Sequence, residues 1–214
     1  MTKKFAELVD AERIAWAVEK QPAIEAISRR HDPRIRATMQ KVLANRQQTD
    51  STKMRALYDA VAPLAHDLAQ HAQCRKGCSH CCHIAVAINQ SEAELIARKT
   101  GLKPAKPANR ALEGREHFAE AIPLGYGDPC PFLVDNQCSI YDARPLACRM
   151  HFNLDTAADL CRLDNNRPVL LYGNLNIDAA GIYAAGGPDK VVIADIREFF
   201  PKGKPDDNEN TQGN

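Results

Sequence analysis

The sequence predicts a mainly α-helical protein with small β-hairpins, in which an N-terminal helical segment precedes a loop-rich, cysteine-dense domain. Three observations support this fold class. Apolar residues recur at helical spacing within the first 70 positions, whereas all eight cysteines lie between Cys74 and Cys161. With 214 residues and a hydrophobic fraction of 44%, the chain can bury a core, and this composition excludes disorder along its whole length.

The charge balance excludes several classes of partner. Lys and Arg number 28, Asp and Glu number 27, and the net charge is +1, which argues against bulk-charge binding to nucleic acid or anionic lipid. The sequence shows neither an apolar secretory segment near its start nor an apolar run of about 18 residues. We therefore predict a cytoplasmic protein that binds neither nucleic acid nor membrane.

Three helices are predicted in the first 45 residues. The first covers 6–20, the second begins near Pro22, and the third begins at Pro33 and continues through Leu43. A proline suits the first turn of a helix because an amide hydrogen at that position has no acceptor within the helix, so its loss costs nothing. A proline also disfavours the helical conformation of the residue before it, so the second helix should end before Asp32.

A fourth helix has the clearest amphipathic pattern. Its apolar positions, spaced by three and four, are Met54, Leu57, Tyr58, Val61, Leu64 and Leu68. Asp50 or Ser51 can cap its start, and Pro63 predicts a kink or a break.

A basic segment overlaps these front helices. It holds one acid, Asp32, and the cations Arg29, Arg30, Arg34, Arg36, Lys41 and Arg46. We interpret segment 29–46 as a solvated helical face, with a docking face for an acidic protein partner as the alternative.

Short elements are predicted around the cysteines. Residues 84–88 favour a strand, and Ser91 with Glu94 forms a capping box for a helix that stops near Gly101. Residues 103–110 favour a loop and 111–121 another short helix. A hairpin is predicted over 132–141 around Asp135-Asn136-Gln137, with short helices from Pro145 through Cys148 and over 155–160.

The last third is predicted to pack back on the body. Residues 191–200 are apolar, with Asp189 as a possible helix cap and a strand as the alternative, and 201–214 read as a disordered tail. The predicted division is an N-terminal helical region 1–70, a cysteine-cluster domain 71–165, a C-terminal segment 166–200 and the tail 201–214.

The clustered cysteines predict metal ligation. In a reducing compartment, thiols at such density favour metal sites over disulfides. Short spacings between thiolates let a tight turn direct several sulfurs at one ion, as zinc and iron–sulfur clusters require. The predicted ligands are Cys74, Cys78, Cys81, Cys82, Cys130, Cys138, Cys148 and Cys161.

The cysteine spacing is compatible with more than one number of metal sites. Neighbouring side chains diverge, so Cys81 and Cys82 favour two sites that the pair straddles. Eight thiols fit two four-thiolate sites, one cluster plus one zinc, or one site plus redox thiols. Gly77 precedes Cys78 at a point where a positive φ can be required.

Other polar residues near the cysteines have predicted outer roles. Thiolate sites carry net negative charge, which the nearby cations Arg75, Lys76, Arg144, Arg149 and Arg162 can offset. His80, His83 and His151 could replace a thiolate, but eight cysteines favour an outer or exposed place for them.

The motif resembles a known family. The string C-x3-C-x2-C-C, then Cys130-Pro-Phe-Leu, Cys138-x-Ile-Tyr141 and Arg144-Pro145-x2-Cys148-Arg149, is similar to the YkgJ-type cysteine-cluster family, also described as a zinc- or iron-chelating CxxxCxxCC domain. A related domain occurs in flagellin lysine N-methylases. The resemblance implies that the cysteines bind an iron–sulfur cluster or zinc and that Tyr141, Arg144, Pro145 and Arg149 shape the site.

These features predict a metal-stapled domain that holds an iron–sulfur cluster or Zn²⁺, with redox, metal-handling or interaction roles open and a slight preference for iron–sulfur. The alternative is a flagellin-type protein lysine N-methyltransferase, although no glycine-rich cofactor loop is evident. The C-x3-C-x2-C spacing also occurs in radical S-adenosylmethionine enzymes, but the sequence lacks their strand–helix alternation. No catalytic residue is predicted, and enzyme activity stays open.

Overall fold

The computed structural model describes residues 10–75, 77–107, 127–165, 167–173, 175–187 and 191–201. Within these ranges the protein is mainly α-helical with two small antiparallel strand pairs, as predicted. The predicted helix over 111–121, the Asp189 cap and nearly all of the 201–214 tail lie outside the described residues. The four-part division of the chain stays a prediction. No helix within the described ranges combines the length and apolarity that a membrane crossing needs.

The front of the chain folds differently from the prediction of three separate helices. One helix, α1, covers Ala11–Ala44 and contains both Pro22 and Pro33. Each interior proline costs about 3 kcal/mol relative to alanine, because an amide donor is lost and the ring crowds the preceding turn. Tertiary packing offsets this cost, since the face that carries Ile27 and Ile35 is buried against the rest of the protein.

The second helix, α2, covers Asp50–Ala69 and packs along α1. Its cap is Thr49, whose side chain accepts the Thr52 amide, and not Asp50 or Ser51 as predicted. Ser51 is buried and donates to Glu94 instead. The helix continues past Pro63 without a break. The predicted apolar stripe is correct, and all six of its residues are buried.

A small sheet follows the first cysteines. Strand β1, Ala87–Asn89, pairs antiparallel with β4, Ile193–Asp195, and helix α3, Gln90–Thr100, begins directly after β1. The capping box lies at Asn89 and Glu92, two residues before the predicted pair, and the helix ends at Gly101 as predicted, with φ 75°. Residues 191–200, for which the sequence predicted either a helix or a strand, contain both: strand β4 and then the short helix α6, Ile196–Phe199.

The hairpin occurs where it was predicted. Strands β2, Leu133–Val134, and β3, Gln137–Cys138, are joined by Asp135 and Asn136, both with positive φ, as two-residue hairpin turns require. Helix α4, Leu146–Arg149, starts after Pro145. Gly181 of helix α5, Leu175–Ala184, lets Leu146 approach closely, since an added Cβ would lie 2.9 Å from Leu146 Cδ2.

Two hydrophobic cores support these elements. The first joins α1, α2 and α5. The second joins β1, β4 and α6 with the hairpin region, and it includes buried Cys130, with Cys82, Cys138 and Cys148 packed against it. Half of the cysteines therefore line one edge of the second core.

Candidate metal centre

The fold gathers cysteines from five separate stretches. They lie in the 3₁₀ helix His80–His83 and the turn that leads to it, before the hairpin, within the hairpin, in α4, and in the 3₁₀ helix Ala158–Cys161. All eight are free thiols. Gly77 has φ 87°, the positive value considered for this position from the sequence. The chain can therefore turn sharply between the first two cysteines.

Apart from Cys81, which influences thiols in both, the thiols fall into two neighbourhoods according to which of them influence one another electrostatically. We call Cys74, Cys78, Cys81 and Cys161 the first thiol group, because the last of these is close to the other three. Asn153 connects its two ends. Its backbone amide donates to Cys74 Sγ at 3.4 Å, and its side-chain amide donates to Cys161 Sγ at 3.2 Å.

The second thiol group comprises Cys82, Cys130, Cys138 and Cys148. Cys82 and Cys148 are each close to Cys130, and Cys148 is also close to Cys138. The backbone ties two members directly, because the Cys130 amide donates to the Cys82 carbonyl at 2.7 Å. Cys81 is close to members of both groups, so the adjacent pair lies at their junction.

The sulfurs are near one another without forming a finished ligand set. Among the described residues, no group of three or more His, Cys, Asp or Glu side chains is arranged so that it could hold a metal ion. A cysteine has a single side-chain torsion with three staggered positions, so rotation about Cα–Cβ can redirect each sulfur without moving the backbone. The donor chemistry fits a thiophilic metal.

Burial controls the protonation of most of these thiols. It raises the pKa of Cys74, Cys130 and Cys138, raises that of Cys161 to about 11, and raises that of Cys148 well above its usual range. At neutral pH these groups carry protons in the metal-free protein. Metal ligation would therefore release protons, because only thiolates bind.

The adjacent pair behaves differently. The hydrogen bond from Cys82 lowers the pKa of the Cys81 thiol to about 7, and the same bond raises the pKa of Cys82. Cys81 therefore loses its proton more readily than the thiols whose pKa is raised.

Arg144 is a cation shared by both groups. Its charge favours the thiolates of Cys74, Cys81, Cys138 and Cys148. The Nε atom donates to the Tyr141 carbonyl, and the guanidinium lies 3.7 Å from the Tyr141 ring centre. Two motif residues thus act together, the ring orienting the cation that offsets thiolate charge.

The other predicted cations have different places. Arg75 is exposed, Arg162 pairs with Asp164 at 2.8 Å, and Lys76 lies outside the described residues. The guanidinium of Arg149 lies on the Tyr58 ring, 4.4 Å from its centre. Among the described residues, Arg197 is a cation that the sequence analysis missed, and its charge favours the Cys130 thiolate.

An ion pair behind the second group holds the cysteine pair in place. Asp195 and Arg197 are 2.9 Å apart, and Asp195 also accepts the Val86 amide. Arg197 donates to the carbonyls of Cys82 and Ile84, at 3.1 and 3.2 Å. The C-terminal segment therefore fixes the backbone on which Cys81 and Cys82 sit.

A buried carboxylate positions Cys148. Glu92 accepts the Tyr58 hydroxyl at 2.8 Å and the Leu146 amide at 2.7 Å, and it caps α3 through the Asn89 amide. It therefore satisfies the first free amide of α4 and joins that helix to α2 and α3. Burial raises the pKa of Glu92, although the backbone hydrogen bonds oppose this.

Two of the histidines near the cysteines line a cavity. His80 and His83 line a cavity of about 290 Å³ with Arg162 and Asp164, and His83 Nδ1 contacts the Ser79 carbonyl at 3.1 Å. Burial lowers the pKa of His151, and this ring stays neutral near pH 7.

The cations of segment 29–46 are largely engaged within the chain. Arg29, Arg30 and Arg36 form ion pairs with Glu25, Asp67 and Asp32. Arg34 donates to the Asp59 carbonyl. Docking of a partner on this segment stays a prediction.

Sequence reasoning missed four residues that support the site: Glu92, Asn153, Asp195 and Arg197. Each acts across at least 50 residues of chain, through contacts that no local motif announces. The weak signal available was polarity within apolar surroundings, since Asp195 interrupts the apolar run 191–200.

The comparisons with known proteins give one family. Residues 73–169 match the family described as "CxxCxxCC: Putative zinc- or iron-chelating domain". No curated protein and no solved structure matches the chain. The match does not support the methyltransferase alternative. The matched residues 73–169 contain all eight cysteines, so this part of the chain is similar to a family of zinc- or iron-chelating domains.

Proposed function

We propose that this protein is a cytoplasmic metal-binding protein whose cysteines hold iron–sulfur clusters, with zinc as the second candidate. The observation that carries the proposal is the gathering of eight free thiols from five stretches of a zinc- or iron-chelating domain. A reducing compartment would keep them available as ligands.

The two thiol groups favour two centres of four thiolates each. An iron–sulfur cluster and a structural zinc site both take four such ligands, so the eight cysteines divide without remainder. Cys81 belongs to the first group and Cys82 to the second, in agreement with the divergence of neighbouring side chains.

Hydrogen bonds to sulfur support the preference for iron–sulfur. Cys74 accepts the Asn153 amide at 3.4 Å, and the backbone amides of Phe132 and Ile140 lower the pKa of Cys130 and Cys138 against the effect of burial. Such bonds, together with the charges of Arg144 and Arg197, stabilise thiolate-rich centres and tune their potentials. A bound centre would also staple the hairpin, α4 and the cysteine turn to one another.

Elemental analysis and visible spectroscopy on anaerobically purified protein test the proposal. We expect iron and acid-labile sulfide with a broad absorption near ~400 nm. Colourless protein with tightly held zinc would reverse the choice of metal. Protein that binds neither iron nor zinc after reconstitution would refute metal binding. Ser79→Ala is the matched control, because it changes a side chain between Cys78 and Cys81 without removing a thiol.

A further inference from the structure

A second cavity lies between α2, α3 and α4. Its volume is about 370 Å³, and it is bounded by α2, α3 and the segment that runs from Asp142 to Arg149. Its charged lining comprises Arg55, Arg98, Lys99 and Arg149, with the acids Asp59 and Asp142. Positive charge exceeds negative charge by two.

Arg149 is fixed at the wall of this cavity. Its guanidinium lies on the Tyr58 ring, Nε donates to the Arg144 carbonyl at 2.7 Å, and a terminal nitrogen donates to the Asp142 carbonyl. In the part of the chain that the structure describes, no carboxylate lies within salt-bridge distance of this half-buried group. A desolvated cation that lacks an anionic partner favours binding of an anion from solution.

The other cations of the cavity lining add to the positive charge of Arg149. Within the described ranges, Arg55 and Lys99 form no ion pair, and Arg98 reaches Glu94 only at 4.0 Å. These side chains come from two helices and surround one cavity with Arg149. Cations that only keep the surface solvated would not need to be gathered around one cavity.

We propose that this cavity binds a phosphate group carried by a small molecule. Its volume lies within the range of small-ligand sites, roughly 300–1,000 Å³. Guanidinium forks and an ammonium group suit phosphate oxygens, and the surplus of two positive charges matches a phosphate dianion. Leu95 and Ala62 give the cavity apolar wall for the rest of the ligand. The inference does not rest on the proposed metal function.

Titration calorimetry on the protein as purified tests this, with inorganic phosphate and pyrophosphate as probes and citrate at equal ionic strength as the comparison. We expect saturable binding of the phosphates, weakened at least about tenfold in an Arg55→Gln/Lys99→Gln variant. Both side chains are exposed, so this variant should keep the fold. Arg162→Gln removes a cation that does not line this cavity and should leave binding unchanged.

Three results would overturn the proposal. They are the absence of saturation at millimolar phosphate, equal affinity in the double variant and the wild type, and saturable binding of citrate without binding of phosphate. Metal content, measured on the same samples, reports separately on the cysteine site.

Discussion

Individual side chains decide how the thiols are held. Asn153 is 1% exposed and contacts a cysteine at each end of the first thiol group, while its side-chain Oδ1 accepts the Asp155 amide. Asp155 in turn is buried against Arg13 of α1. A short series of polar residues thus links the N-terminal helix to the sulfurs, and each of them forms a hydrogen bond to the next.

The two-group arrangement predicts partial metal loss in single cysteine variants. Cys148→Ala should remove the metal of the second group and keep most of that of the first, whereas Cys161→Ala should do the reverse. Each variant should therefore retain about half of the wild-type metal, by the four-ligand requirement of each centre. Metal-to-protein ratios from mass spectrometry measure this. Complete loss in both variants would indicate one shared centre, and full occupancy in both would refute the ligand assignment.

Asp155 gives a pH-dependent prediction. Burial by itself would raise the pKa of Asp155, but hydrogen bonds from Arg13, Leu170 and Thr156 outweigh it and hold the pKa below its ordinary value of 3.8. A depressed pKa stabilises the fold above the unfolded value and loses that contribution as pH falls through the folded value.

Asp155→Asn should therefore destabilise the protein by about 3–5 kcal/mol at pH 7, because Arg13 is left buried without its partner. The difference from wild type should shrink as pH falls below 3.8. Urea unfolding of chelator-treated protein at several pH values measures this. A difference that stays constant down to pH 2 would contradict the assignment.

Secondary-structure elements show where local rules give way to packing. The α1 helix continues through two prolines that local reasoning assigns to helix starts, because its buried face packs as one continuous stripe. Similarly, the capping box of α3 shifts to Asn89 and Glu92, where Glu92 can also bind Tyr58 and α4.

Replacement of Pro33 tests the cost of an interior proline. Pro33→Ala should stabilise the protein by about 2 kcal/mol, since the helix cost of about 3 kcal/mol is reduced by the added freedom of the unfolded chain. Pro33 is exposed, so no core contact is lost. Denaturant midpoints measure the change, with the exposed non-proline position Ala37→Ser as a control. A destabilised Pro33→Ala protein would show that the packing of α1 depends on the proline.

Across the whole molecule, the metal centre and the two cores are unequally coupled. Four of the cysteines contact or belong to the second core, whereas the α1–α2 core contains none. Loss of bound metal should therefore loosen the hairpin, α4 and the cysteine turn before it affects α2.

Hydrogen exchange with and without a chelator checks this. Amide exchange should rise over 78–83 and 130–149 and change little over 54–64. Uniform acceleration along the chain would contradict a local role of the metal, and unchanged exchange everywhere would mean that the centre does not brace the fold.

The sequence alone was sufficient for the features that depend on local chemistry. The apolar spacing of α2, the Asp135-Asn136 turn, the helix after Pro145 and the glycine before Cys78 were all predictable, because each is specified by neighbouring residues. The cysteine spacing likewise predicted the chelating family that residues 73–169 match.

Tertiary structure decided how those pieces are used. The continuity of α1 and the places of Asn153, Glu92 and Arg197 depend on contacts between residues far apart in the chain, and no local pattern encodes them. The sequence also left undecided which of Arg144 and Arg149 would influence the thiols and which would lie on the Tyr58 ring, because both belong to the same motif around Cys148. Burial and direction, which set the pKa of a thiol or the partner of a cation, exist only once the chain has folded.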